Sequence, residues 1–181
     1  MVHKRIHLAV PLCSALTLCS CGKAQAEEKH KLRDESNTQP TKNIGNGGSS
    51  MVTAGNIKEI YLAGGCFWGV EGYFRRIAGV VETDTGYANG TTDTTDYQRI
   101  HGTDHAETVK ITYNTGVIAL EELLEHYFRI IDPLSVNKQG NDVGRQYRTG
   151  IYYTDKKDAP VIQAFLKRMQ AKYARPLAVE T

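Results

Sequence analysis

Past residue 56 this chain carries a single cysteine, Cys66, and the other three, Cys13, Cys19 and Cys21, crowd together near the N-terminus. A disulfide framework within the folded part is thereby excluded, and no Cys-x-x-Cys pair marks a dithiol redox motif or half of a zinc site. Charge of one sign is also missing. The formal net charge is +2 over 181 residues, and no basic face is interleaved with aromatics, so nothing points to nucleic acid. The apolar stretch from Ile6 to Leu18 falls short of the roughly 20 residues that a bilayer-spanning helix needs. No glycine loop ends in Lys-Ser/Thr, which argues against a nucleotide site. His101, His105 and Glu107 approach a metal-ligand spacing only on a helix, whereas Gly102-Thr103-Asp104 reads as a turn, and no metal is expected. What is present, 40% hydrophobic and 23% charged residues, suits one ordinary globular domain.

The N-terminus differs in kind from the rest. Lys4 and Arg5 precede the apolar stretch as in a secretory signal. Leu18-Cys19-Ser20-Cys21-Gly22 resembles a bacterial lipobox with Cys21 as the lipidated residue, while Ala24-Gln25-Ala26 offers an ordinary cleavage site; the lipoprotein reading is preferred because the cysteine directly follows the apolar core. Residues 1–21 are read as leader. Residues 22–56, rich in Lys, Glu, Asn, Ser and Gly, cannot bury enough apolar surface to offset their ordering entropy and form a flexible polar linker. The expected location is the cell envelope, lipid-anchored or periplasmic.

The folded region is expected over 57–181. Ile57 to Ala63 is rich in β-branched and aromatic residues and ends at Gly64-Gly65, which reads as a buried strand and a tight turn. From Trp68 the period becomes helical through Val70, Tyr73, Phe74 and Ile77, with Gly79 as a stop. Extended pieces follow over 80–85 and 108–113. An amphipathic helix carries Leu120, Leu123, Leu124, Tyr127, Phe128 and Ile131 and ends before Pro133, and a strand over 147–153 precedes a helix opened by Asp158 and Pro160. Strands alternating with helices in so short a chain predict a two-layer α/β (α+β) sandwich. Leu177-Ala178-Val179 reads as the start of a further element, so the natural domain is expected to extend beyond this chain.

Cys66 falls where the first strand turns into the first helix. Unpaired amides and the macrodipole at a helix N-terminus favour a thiolate, which is a nucleophile; the alternative is a small apolar filler. Strand parity supplies a second group. If 107–113 is extended, Glu107 shares a face with Val109, Ile111 and Tyr113, so desolvation should raise its pKa and let it serve as a general acid; the alternative is an exposed strand-edge glutamate whose parity is accidental, since His105 and Ala106 precede it. Tyr97 and Tyr147 lie at the edges of this region, where each phenol can donate to a polar oxygen beside the thiol. The polar stretch 137–148 is suited to line a site rather than build a core.

Four segments in order, Gly65-Cys66-Phe67-Trp68-Gly69, Thr85-Gly86-Tyr87-Ala88-Asn89-Gly90, Asp104-His105-Ala106-Glu107 and Gly140-Asn141-Asp142-Val143-Gly144-Arg145-Gln146-Tyr147-Arg148, resemble the signatures of A-type peptide methionine sulfoxide reductases. The resemblance covers essentially the whole folded region. It implies a ferredoxin-like sandwich and reduction of the S epimer of methionine sulfoxide, free or in proteins; sulfoxide damage is reversible, with one enzyme per epimer. It further implies Cys66 as nucleophile, Glu107 as proton donor, Tyr97 and Tyr147 as hydrogen-bond donors to the sulfoxide oxygen, Phe67 and Trp68 as the methyl pocket, and Asp142 in its polar wall. No cofactor is implied beyond an external thiol reductant such as a thioredoxin-like protein. Many members carry further cysteines in a C-terminal tail, and this chain has none, so either the sequence stops before that tail, or before a fused B-type domain, or an outside thiol recycles Cys66. Two rivals stand beside this reading. A membrane-tethered module that binds oxidised methionine without turnover would accommodate the missing cysteine. Another cysteine enzyme, such as a thiol peroxidase, lacks a histidine placed as base for Cys66. The default oligomeric state is monomer.

Overall fold

A computed structural model describes residues 6–7 and 56–181. Cys21 and nearly all of the leader and linker lie outside the described residues. Five strands form one antiparallel sheet: β1 (Ile6–His7), β2 (Ile57–Gly64), β3 (Val80–Ala88), β4 (Ala106–Asn114) and β7 (Thr149–Tyr152), in the spatial order β1-β3-β4-β2-β7. A small hairpin, β5 (Lys138–Gln139) with β6 (Asp142–Val143), stands apart within the polar stretch. The helices are α1 (Phe67–Phe74), α2 (Ile100–Thr103), α3 (Leu120–Ile130) and α4 (Ala159–Gln170). Taken in chain order, β2-α1-β3-β4-α3-β7 is a βαββαβ unit with β4 and β2 central, which is the ferredoxin-like arrangement. Ile6–His7, within the stretch read as leader, adds an edge strand against Ala88 and Tyr87.

Parity divides the sheet into two faces. Ile60 and Leu62 of β2, Val109, Ile111 and Tyr113 of β4 and Ile151 of β7 point one way. Against them pack Val70 and Phe74 of α1, Leu123, Leu124 and Tyr127 of α3, and Ile162, Phe165 and Met169 of α4. Each of these large side chains contributes about 1.5–3 kcal/mol by leaving water. Tyr61, Ala63, Ala88, Ala106 and Tyr152 form a smaller cluster on the opposite face. The start of α3 is fixed by Glu122, whose carboxylate accepts the Ala119 N–H at 2.9 Å. Tyr127 then pushes its hydroxyl between β2 and β7, donating to Ala63 O at 2.5 Å and accepting from Gly150 N at 3.1 Å.

Several boundaries differ from the sequence reading. Helix α1 stops at Phe74 rather than 77, because the chain turns through Arg75–Gly79 and Gly79 adopts φ +93°. Strand β3 runs on to Ala88, and β4 begins at Ala106, so the hairpin between them brings Tyr87 opposite Glu107. The strand expected over 147–153 is shorter, since Arg145–Tyr147 form a 3-10 turn before β7. Asp158 precedes α4 without capping it; its carboxylate accepts from Lys58 Nζ at 2.6 Å instead. The segment after α4 lies parallel to β7, with Glu180 N donating to Thr149 O and Ile151 N donating to Glu180 O.

Candidate active site

The β2–α1 junction sets the position of the thiol. Gly65 turns the chain with φ +84°, a region in which a side chain is strained, and an added Cβ would stand 2.7 Å from Gln139. Cys66 follows in a non-helical conformation, and its carbonyl accepts the first helical bonds from Gly69 and Val70. Its side chain makes no capping bond to the helix and is half-buried. A cleft of about 350 Å³ opens beside it, lined by Gly64, Gly65, Gly69, Gln139 and Asp142 among others.

Glu107 arrives from the centre of the sheet. It shares the face of Val109, Ile111 and Tyr113, as parity requires, and is only 3% exposed. Its Oε2 accepts the Phe67 N–H at 3.0 Å, which joins the carboxyl to the residue next to Cys66. Burial raises the Glu107 pKa above the ordinary carboxyl range, the Phe67 amide opposes that shift, and the nearby Asp142 charge adds to it. Tyr147, at the end of the 3-10 turn, is half-buried; burial first, then the charges of Glu107, Tyr97 and Asp142, raise its phenol above the ordinary range. Its hydroxyl therefore stays a proton-bearing donor at neutral pH.

The aromatic side is layered. Phe67 is buried, with its ring centroid 5.8 Å from both Trp68 and Tyr87. Trp68 is 70% exposed and Tyr97 66% exposed, at the rim. The structure thus gathers Cys66, Phe67, Trp68, Glu107, Asp142 and Tyr147 into one region, with Tyr97 at its margin. His101 is exposed, whereas His105 is buried with Nδ1 3.1 Å from the Thr103 hydroxyl, and among the described residues no group of three acidic, histidine or cysteine side chains is placed to share a metal ion.

Sequence reasoning missed two sets of residues. Tyr87 packs on Phe67 opposite Glu107; the pairing of β3 with β4 carried to Ala88 would have found it. Arg148 is 2% exposed and donates to Glu180 Oε2 at 2.7 Å, to Arg145 O and Asn89 O at 2.9 Å, and to Asp104 O at 3.0 Å. One guanidinium so ties the end of β3, the turn into β4, the turn carrying Tyr147 and the C-terminal segment. Asn89 Nδ2 and the Tyr152 hydroxyl also donate to Glu180, and Arg145 forms a two-pronged pair with Asp104.

Residues 58–181 match the family described as peptide methionine sulfoxide reductase. Among solved structures, reduced Mxr1 from Saccharomyces cerevisiae is similar over 74% of this chain and 79% of its own, at 35% identity and a TM-score of 0.65. Methionine sulfoxide reductase A of Corynebacterium diphtheriae is similar over 69% of this chain and 63% of its own, at 28% identity and a TM-score of 0.60. Mxr1 in complex with Trx2 matches over 73% of this chain and 79% of its own, at 28% identity and a TM-score of 0.53. The chain belongs to the peptide methionine sulfoxide reductase family, in its A-type branch. It is an oxidoreductase acting on a sulfur group, and the reaction it catalyses is methionine sulfoxide reduction.

Proposed function

We propose that Cys66 attacks the sulfur of a methionine S-sulfoxide as thiolate while Glu107 delivers a proton to the oxygen. The observation that carries this reading is the 3.0 Å bond from Phe67 N to Glu107 Oε2, which holds a buried carboxyl of raised pKa one residue from the nucleophile. A sulfoxide oxygen is a poor leaving group until it is protonated, so an acid beside the thiol supplies what the thiol alone lacks. Tyr147, and Tyr97 from the rim, donate to that oxygen as negative charge gathers on it. Phe67 and Trp68 enclose the S-methyl group, and Asp142 faces the polar side of the substrate. The step balances as sulfoxide plus Cys66 thiol giving methionine plus Cys66 sulfenic acid: the sulfoxide sulfur is reduced by two electrons and Cys66 is oxidised by two.

Thiols then return Cys66 to its reduced state. The complex of the similar Mxr1 with Trx2 supports a thioredoxin-like reductant for this chain as well. The substrates are oxidised proteins and free methionine sulfoxide, and the leader-like N-terminus supports repair in the cell envelope with Cys21 as a lipid anchor. The test is single-turnover reduction of the separated S and R epimers without reductant. About one equivalent of methionine from the S epimer alone is expected, and none from Cys66→Ser.

A further inference from the structure

We propose that the glycine-lined cleft beside Cys66 is the port through which the recycling thiol reaches the sulfenic acid, separate from the aromatic side that receives the sulfoxide. This rests on Cys66 being the nucleophile, as above. Four of the nine residues lining the cleft are glycines, Gly64, Gly65, Gly69 and Gly140, and Cys66 itself forms part of the wall. Glu107, Phe67, Trp68, Tyr97 and Tyr147 are all absent from that lining; only Asp142 belongs to both sides. Cys66 therefore borders a space that these sulfoxide-binding groups, Asp142 apart, do not line.

The chemistry of the second half-reaction requires such a direction. A thiol attacks sulfenic sulfur in line with the S–O bond, opposite the departing oxygen. With the oxygen held on the Glu107 and Tyr147 side, the attacking sulfur must enter from the other. Cys66–S–OH plus R–SH gives Cys66–S–S–R plus water: the S–S bond forms, the S–O bond breaks, and the thiol proton leaves with the hydroxyl. A second thiol then releases Cys66–SH and R–S–S–R, so two thiols are oxidised for one sulfenic acid reduced. The mixed disulfide needs its two Cβ atoms about 4 Å apart, so the partner must come nearly into backbone contact with the Cys66 turn. A Cβ at Gly65 would stand 2.7 Å from Gln139 of the cleft wall, whereas Gly69 and Gly140 are exposed with open space where a Cβ would stand, which gives the thiol an open path. The opposite wall is stiff, because the Gln139 amide accepts from Asp132 N at 2.8 Å and donates to Asp132 O at 2.9 Å.

Filling the cleft tests this. A Cβ at Gly69 meets nothing within 4 Å, and the same holds at Gly72, on the same helix but outside the lining. In the full chain, Gly69→Leu is expected to give the reductant-free methionine burst within twofold of wild type. Its regeneration is expected to slow at least tenfold with a thioredoxin and severalfold with dithiothreitol, while Gly72→Leu changes neither step. The milder Gly69→Ala should shift regeneration in the same sense, so the result does not hang on one variant folding. Unchanged regeneration in both Gly69 variants would overturn the port, as would a burst that falls in parallel with regeneration, since the cleft would then serve the sulfoxide. A wild-type protein without any burst would instead refute the assignment of Cys66, which keeps the two failures apart.

Discussion

The two halves of the active site are held by opposite means. On the Cys66 side the backbone does the holding: a left-handed glycine, the first bonds of α1, and no hydrogen bond from the Cys66 side chain to the helix end. On the Glu107 and Tyr147 side, buried side chains hold the backbone, with Arg148 gathering three carbonyls and the Glu180 carboxylate. The contrast follows from what each half must do. A nucleophile that meets a sulfoxide and then a thiol needs clear space around its sulfur, which glycine gives. A general acid needs a dry, fixed setting, because its proton is retained only while water stays out.

That contrast orders the effects of substitution. Cys66→Ser is expected to abolish methionine formation in a chromatographic assay, yet to leave the melting temperature nearly unchanged. Glu107→Gln should lower the single-turnover rate by about 10²–10⁴-fold. Wild-type activity should fall as pH rises through the raised Glu107 pKa, since the acid form is the active one, and the Gln variant should lack that limb. Stability follows the same sign. The folded state holds the Glu107 proton to higher pH than the unfolded chain, so its contribution is full below the ordinary value of 4.5 and is lost as pH rises through the folded value. Glu107→Gln should therefore gain thermal stability relative to wild type between pH 4 and pH 8.

Arg148→Met breaks the comparison from the other half. It strands three carbonyls and weakens the hold on Glu180, at an expected cost of about 2–4 kcal/mol in denaturant unfolding. The hydroxyl deletions sharpen it further. Tyr147→Phe, half-buried beside Glu107, should cost about 10²-fold in rate, and Tyr97→Phe at the exposed rim less than about tenfold. Trp68→Ala should be smallest in stability, within about 0.5 kcal/mol, with its effect confined to a higher KM.

Much of the nucleophilic half is legible in the chain because its signals are local. A strand pattern, two glycines and a switch to helical period within a few residues place Cys66 at the start of α1. Glu107 is legible for a related reason: the alternation of β4 assigns its face without knowledge of its partners. Tyr87 escapes because the extended piece is read only over 80–85, whereas the strand continues to Ala88. The Arg148 staple escapes because its partners lie 32, 44 and 59 residues away, and no periodicity links an arginine to Glu180, Asp104 and Asn89. The 3-10 turn that carries Tyr147 is too short to announce itself by periodicity. The fold class follows from alternation of elements, but the strand order depends on pairings between segments far apart in sequence.

The most direct measurement is the reductant-free burst on separated epimers, with Cys66 trapped by a sulfenic-acid reagent and the adduct located by mass spectrometry. One equivalent of methionine from the S epimer with matching adduct on Cys66, and neither in Cys66→Ser, is the expected result. Methionine formed without an adduct on Cys66, or formed equally from the R epimer, would contradict the assignment of this thiol and this pocket.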